Sequence, residues 1–141
     1  MAPTTAERVT VECAGHTVLL ADSVSFLSEA DRGGAVVSAS HGGVSAAEHA
    51  LRFEPAVIAF NDAGGGKDDA GFAALEILQK RGIAALCVAH ESARIGDAAD
   101  HWTNGIISRA NPFAAAHGVR DGMTVAEAFR CVLASAPRSE P

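Results

Sequence analysis

The chain has no tyrosine and a single tryptophan, so it offers little of the aromatic platform on which nucleic-acid bases stack. It has no run of basic residues, and its formal net charge is −6. Non-specific binding to nucleic acid or to an anionic membrane needs a field of the opposite sign. Cysteine is scarce: Cys13, Cys87 and Cys131 are the three present, with no C-x-x-C pair. An odd, widely spaced set is neither a disulfide framework nor a zinc knuckle. Cys87 sits in the apolar run Ala84–Ala89 and reads as a small buried hydrophobe. No window approaches the ~18 apolar residues of a transmembrane helix. Met1 to Arg8 lacks the apolar segment of a signal peptide, so a cytoplasmic protein is expected.

What is present suits one globular domain. The 141 residues are 48% hydrophobic and 20% charged, enough to bury a core without staples. Residues 1–141 read as a single α/β domain with frayed ends at about 1–7 and 136–141. Val9-Thr10-Val11-Glu12 alternates apolar and polar residues. Ala14-Gly15 turns the chain into a second strand, Thr17 to Ala21, making an N-terminal β-hairpin.

Three short runs then follow that are apolar on both faces: residues 35–39, 56–60 and 83–89. Such strands belong to a parallel sheet covered by helices on both sides. The helices between them have their own signals. Ser45 and Glu48 match a capping box, a helix runs from about Asp69 to Arg81 ahead of Gly82, and Asp97 opens a short helix to Thr103. Ile106 to Ser108 reads as a fourth strand. Asn111-Pro112 is an N-cap and N1 pair, and Thr124 and Glu127 form a second capping box. The expected fold is a three-layer, Rossmann-like or flavodoxin-like, mostly parallel sheet with the hairpin added.

Open parallel sheets bind ligands beyond the carboxyl ends of their strands, and there the polar chemistry is concentrated. Ser40-His41-Gly42-Gly43 follows the first apolar run, with glycines that permit close backbone approach to a ligand. Asn61-Asp62-Ala63-Gly64-Gly65-Gly66-Lys67-Asp68-Asp69 follows the second. His90-Glu91-Ser92-Ala93-Arg94 follows the third. The glycine-rich loop departs from a phosphate-binding Walker motif, with Asn61 and Asp68 where Gly and Ser or Thr are required. It also lacks the glycine spacing of a dinucleotide fingerprint. Asp68 or Asp69 reads as a helix cap, and so does Asp97. No G-x-S-x-G elbow activates Ser92. His41, Asp62 and His90 would make a two-His, one-carboxylate set, but no H-x-H or H-x-x-x-H spacing supports it. No metal or other cofactor is expected. His16, His49, His101 and His117 read as bystanders.

These residues point to a small-molecule enzyme acting by acid–base and electrostatic catalysis on a small, polar, anionic metabolite. Hydrolysis is favoured over a lyase or isomerase step. His41 would transfer a proton, Asp62 would orient it, and Lys67 would stabilise developing charge. Ser40, Gly42, Gly43, Asn61, His90, Ser92 and Arg94 would bind substrate, with Arg94 as a bidentate carboxylate clamp. The alternative is a non-catalytic ligand-binding module or a subunit of a larger enzyme complex. The alanine-rich helices leave apolar surface that could support a homo-oligomer.

Overall fold

The computed structural model describes residues 9–134. The expected frayed ends lie outside the described residues. The backbone is a six-stranded sheet whose spatial order follows the sequence, β1 to β6. The strands are β1 Val9–Cys13, β2 His16–Ala21, β3 Ala35–His41, β4 Val57–Asn61, β5 Ala84–Val88 and β6 Ile107–Ala110. β1 pairs antiparallel with β2, and Ala14 and Gly15 at the turn take φ of 52° and 82°. Positive φ at both central residues matches the twist of a two-residue hairpin. β2, β3, β4 and β5 are successively parallel, while β6 returns antiparallel to β5. The sheet is therefore mostly parallel, and the three apolar runs are adjacent parallel strands as their composition predicts. The sequential order contains no strand-order reversal of the kind that locates the crevice in Rossmann-like and flavodoxin-like sheets.

Both faces of the sheet are covered. Leu19, Val36, Ile58, Phe60, Ala85 and Cys87 pack with residues of α1 (Val44–Leu51) and α2 (Ala73–Gln79). Val18, Val37, Val57, Ala59 and Leu86 pack with residues of α3 (Ala98–Asn104), α4 (Pro112–Ala115) and α5 (Val125–Ala134). Parallel strands added in one direction with crossovers of one hand place α1 and α2 together on one face. The chain reaches the other face only after β5. None of the helices among the described residues is long and apolar enough to cross a membrane.

Local signals fare unevenly. The Thr124 and Glu127 capping box forms in both directions. Asn111 caps α4 and Asp97 caps α3. Ser45 does not cap α1: the helix starts one residue before it, with Gly43 at the cap. Asp68 and Asp69 cap nothing either. They lie in a 3₁₀ segment, Lys67–Phe72, with φ of 54° and 59°, and α2 starts only at Ala73. Short acidic side chains tolerate the left-handed region better than most, so the glycine-rich turn continues through them instead of yielding to a helix.

Candidate functional site

With β2 to β5 parallel, the loops after β3, β4 and β5 leave the same edge of the sheet. Along that edge the structure makes two neighbouring arrangements, one on β4 and β5 and one on β2 and β3.

The first centres on Asp62, just beyond β4. Its side chain is 7% exposed, and Oδ1 accepts hydrogen bonds from the Gly64 N–H at 2.7 Å and the His90 N–H at 3.1 Å. Burial alone would raise the pKa of this carboxyl. The Gly64 amide, the Ser108 hydroxyl, the His90 amide and the His90 side chain together outweigh it and hold Asp62 below the usual carboxylate value. The cluster thus contains a carboxylate kept ionised by amide donors from two loops, with the Ser108 hydroxyl close by and donating to the Cys87 carbonyl at 3.3 Å. Over it lies the imidazole of His90, 53% exposed, with Nδ1 3.5 Å from Asp62 Oδ1. Gly64 lies beside that ring, where a Cβ would make only an ordinary contact with His90 Cε1 at 3.5 Å, and it is its φ of 79° that favours glycine there. Ser108, on the antiparallel β6, went unnoticed in the sequence. Nothing in its local pattern marks it, because only the return of β6 beside β5 brings it near Asp62.

The second arrangement is a cleft of about 500 Å³ over the ends of β2 and β3. Asp22, Ser23, Ser40, His41, Ser45 and Ile95 are among the residues that line it, while Asp62 and His90 are not. His41 is exposed and faces this space. Its backbone neighbours Asn61 across the β3–β4 ladder, so the two arrangements sit on adjacent strands. His49 also lines the cleft, and its Nε2 is enclosed without a hydrogen-bond partner among the described residues. No group of three or more His, Cys, Asp or Glu side chains is gathered as metal ligands among those residues. His41 therefore does not join Asp62 and His90 in a ligand set.

No family model matches the chain, and neither curated proteins nor solved structures include a significant match to it.

Several expected binding residues are engaged in holding the loops. Asn61 is fully buried: Nδ2 reaches the Ala93 carbonyl and His101 Nε2, each at 3.1 Å, and Oδ1 accepts from the Ala63 N–H at 2.7 Å. His101 is no bystander. It is fully buried, burial pushes its pKa down, and Nδ1 lies 2.8 Å from the Asp97 carbonyl. That neighbour requires a proton on Nδ1, leaving Nε2 to accept from Asn61. Ser92 donates to the Ala89 carbonyl at 2.7 Å and accepts from the Ile106 N–H at 2.9 Å, which commits its proton to holding the loop. Ser40 accepts from the Val24 N–H at 2.9 Å and retains its own proton to donate.

Gly42 is buried against the next loop. Its N–H donates to the Asn61 carbonyl, its carbonyl accepts from the Ala74 N–H, and a Cβ would lie 2.5 Å from the Gly71 carbonyl oxygen. Lys67 and Arg94 are exposed. The Arg94 amide donates to Asp100 at 2.8 Å, and its guanidinium adds to the charges that lower the Asp100 pKa, after the hydrogen bonds from Asn104 and the Arg94 amide. Cys87 is fully buried, and burial, reinforced by the charge of Asp62, pushes its thiol up to about 12. A thiol so protonated is a packing group rather than a nucleophile.

Proposed function

We propose that the chain is a small-molecule enzyme that moves protons on a small, polar, anionic metabolite, with hydrolysis favoured over a lyase or isomerase step. The observation that carries this reading is the Asp62–His90 pair. A buried carboxylate held ionised by two backbone amide donors lies 3.5 Å from the ring nitrogen of a half-exposed histidine. Such a carboxylate fixes the ring's orientation and tautomer and stabilises its protonated form, while the exposed face of the ring meets substrate. The separation is longer than a good hydrogen bond, as is common where substrate has yet to tighten the contact. In this reading His90 takes the proton-transfer role first expected of His41, and Asp62 keeps its orienting role. Lys67 supplies positive charge beyond β4, and His41, paired with Asn61 on the neighbouring strand, lines the separate cleft over β2 and β3.

The Rossmann-like or flavodoxin-like likeness enters here only as a guide to position. In those sheets the ligand lies beyond the carboxyl ends of the strands, and here the same edge carries Asp62, His90 and His41.

A second reading, a ligand-binding module or a subunit of a larger enzyme complex, is favoured by the structural employment of Asn61 and Ser92. The two separate in one experiment. The protein is incubated with a panel of small amides, esters and hydroxy acids, and product is followed by proton NMR. Turnover is expected, falling roughly 10²–10⁴-fold in His90→Gln and in Asp62→Asn, the range of general acid–base catalysis. Ligand-dependent stabilisation without product would establish the binding module instead.

A further inference from the structure

Asn61 directly precedes Asp62, and its fully buried side chain meets three segments at once. Oδ1 accepts from the Ala63 N–H in the loop after β4. Nδ2 faces both the Ala93 carbonyl in the loop after β5 and Nε2 of His101 on α3. Those two loops carry Asp62 and His90. The partners fix the orientation of the amide, because an N–H can only donate and a carbonyl can only accept. The second Nδ2 proton must therefore go to His101, and Nε2 must be unprotonated. The other ring nitrogen, Nδ1, donates to the Asp97 carbonyl.

Protonation of His101 would set an Nε2–H against the Nδ2 donor of Asn61, 3.1 Å away. Turning the amide over does not repair this. Oδ1 would then accept from the ring but oppose the Ala93 carbonyl, and Nδ2 would oppose the Ala63 N–H. Once the ring is protonated, no orientation of Asn61 satisfies all three neighbours. Both side chains are fully buried, and an unmatched donor is costly where water cannot replace its partner. Burial is the largest influence on the ring and opposes the proton; Asp97 and Asp100 at the start of α3, and Asp22 beyond β2, favour it. Around them, Glu127 and Arg130 of α5, Arg94 and His41 are exposed, and the Asp62 carboxylate is turned to the Gly64 and His90 amides.

We propose that Asn61 and His101 form a proton-sensitive latch: the neutral ring holds the loops of Asp62 and His90 in place, and protonation releases them. The latch stands on hydrogen-bond geometry. That its release also stops turnover rests on the reading above, in which Asp62 and His90 are the working pair.

Amide hydrogen exchange of the whole chain, followed by NMR and corrected for the intrinsic effect of pH, reads the latch at Ala63. Opening frees the ring to take a proton that the closed form refuses. Each pH unit below the ordinary histidine value of 6.5 therefore favours opening by up to about tenfold. Protection of Ala63 is expected to fall about tenfold or more between pH 7 and pH 5. His101→Gln offers Asn61 an acceptor that does not titrate, and should hold that protection constant over the same range. His90→Gln should still show the loss, which separates the latch from the exposed histidine nearby. Protection of Ala63 indifferent to pH in the wild-type chain would overturn the proposal, and that measurement needs no variant to fold. So would a full loss in folded His101→Gln, or its disappearance in His90→Gln. The expected exchange pattern, with no turnover of any compound tested, would sustain the latch and reject the catalytic reading.

Discussion

At the scale of single residues, His101 decides more than its sequence context suggests. It is enclosed between α3 and the end of β4 as a neutral ring, donating to the Asp97 carbonyl and accepting from Asn61. Burial is the dominant influence and lowers its pKa from the ordinary 6.5. A histidine whose folded pKa lies below its unfolded one leaves the unfolded chain with more protons between the two values, so stability rises with pH there. The contribution is fully present above about pH 6.5 and is lost as pH falls toward the depressed folded value. Denaturant unfolding of the wild-type chain is therefore expected to show stability declining from pH 7 to pH 5. In His101→Asn the overall stability should be lower and that part of the pH dependence absent. A wild-type slope that persists unchanged in the variant would assign the effect to other groups. Asp62 belongs to a separate window: its lowered pKa stabilises above about 3.8 and is lost only below it.

Among the elements, the loops after β3 and β4 are held together by a glycine contact rather than by the polar residues that draw attention to them. A Cβ on Gly42 would lie 2.5 Å from the Gly71 carbonyl and 3.3 Å from Cys87 Sγ, both in the packed interior. On Gly43 it would meet only the exposed His41 ring, at 3.2 Å. Gly42→Ala is expected to lose roughly 1–3 kcal/mol, the usual cost of overpacking. Gly43→Ala should stay near wild type in thermal melts, because the ring can swing aside. Equal melts for the two would mean the backbone yields at Gly42. The Ser40–Gly43 motif was legible as unusual, but its sequence suggests approach to a ligand, whereas Gly42 serves the approach of another backbone. The same division holds elsewhere. Apolar runs revealed β3, β4 and β5, because burial on both faces leaves few alternatives to a parallel strand. The start of α2 was not legible, because the capping preference of Asp69 lost to a left-handed turn. The proximity of Asp62 and His90 was legible, because loops after adjacent parallel strands leave one edge, but that of Ser108 was not, since it depends on β6 returning antiparallel beside β5.

For the whole molecule, the sequential sheet divides the interior into two cores with β2 to β5 as the wall between them. Phe60 is fully buried in the core beneath α1 and α2, and Phe129 is fully buried in the core beneath α3, α4 and α5. Each is among the largest enclosed side chains, so each Phe→Ala change should leave a cavity costing about 3–5 kcal/mol. The two rings belong to different clusters, and sites without shared partners add to within about 0.5 kcal/mol. The double variant should therefore lose about 6–10 kcal/mol, comparable with the whole 5–15 kcal/mol of an ordinary domain. Urea unfolding of the two single variants, followed by circular dichroism of the double, measures this directly. The double variant is expected to be largely unfolded without denaturant. A double variant that stays folded with a loss well below the sum would mean that the cavities share a relaxation through the sheet. The alanines and valines of the strands would then transmit strain from one face to the other. The site would feel that strain first, because Phe60 directly precedes Asn61 and Asp62 at the carboxyl end of β4.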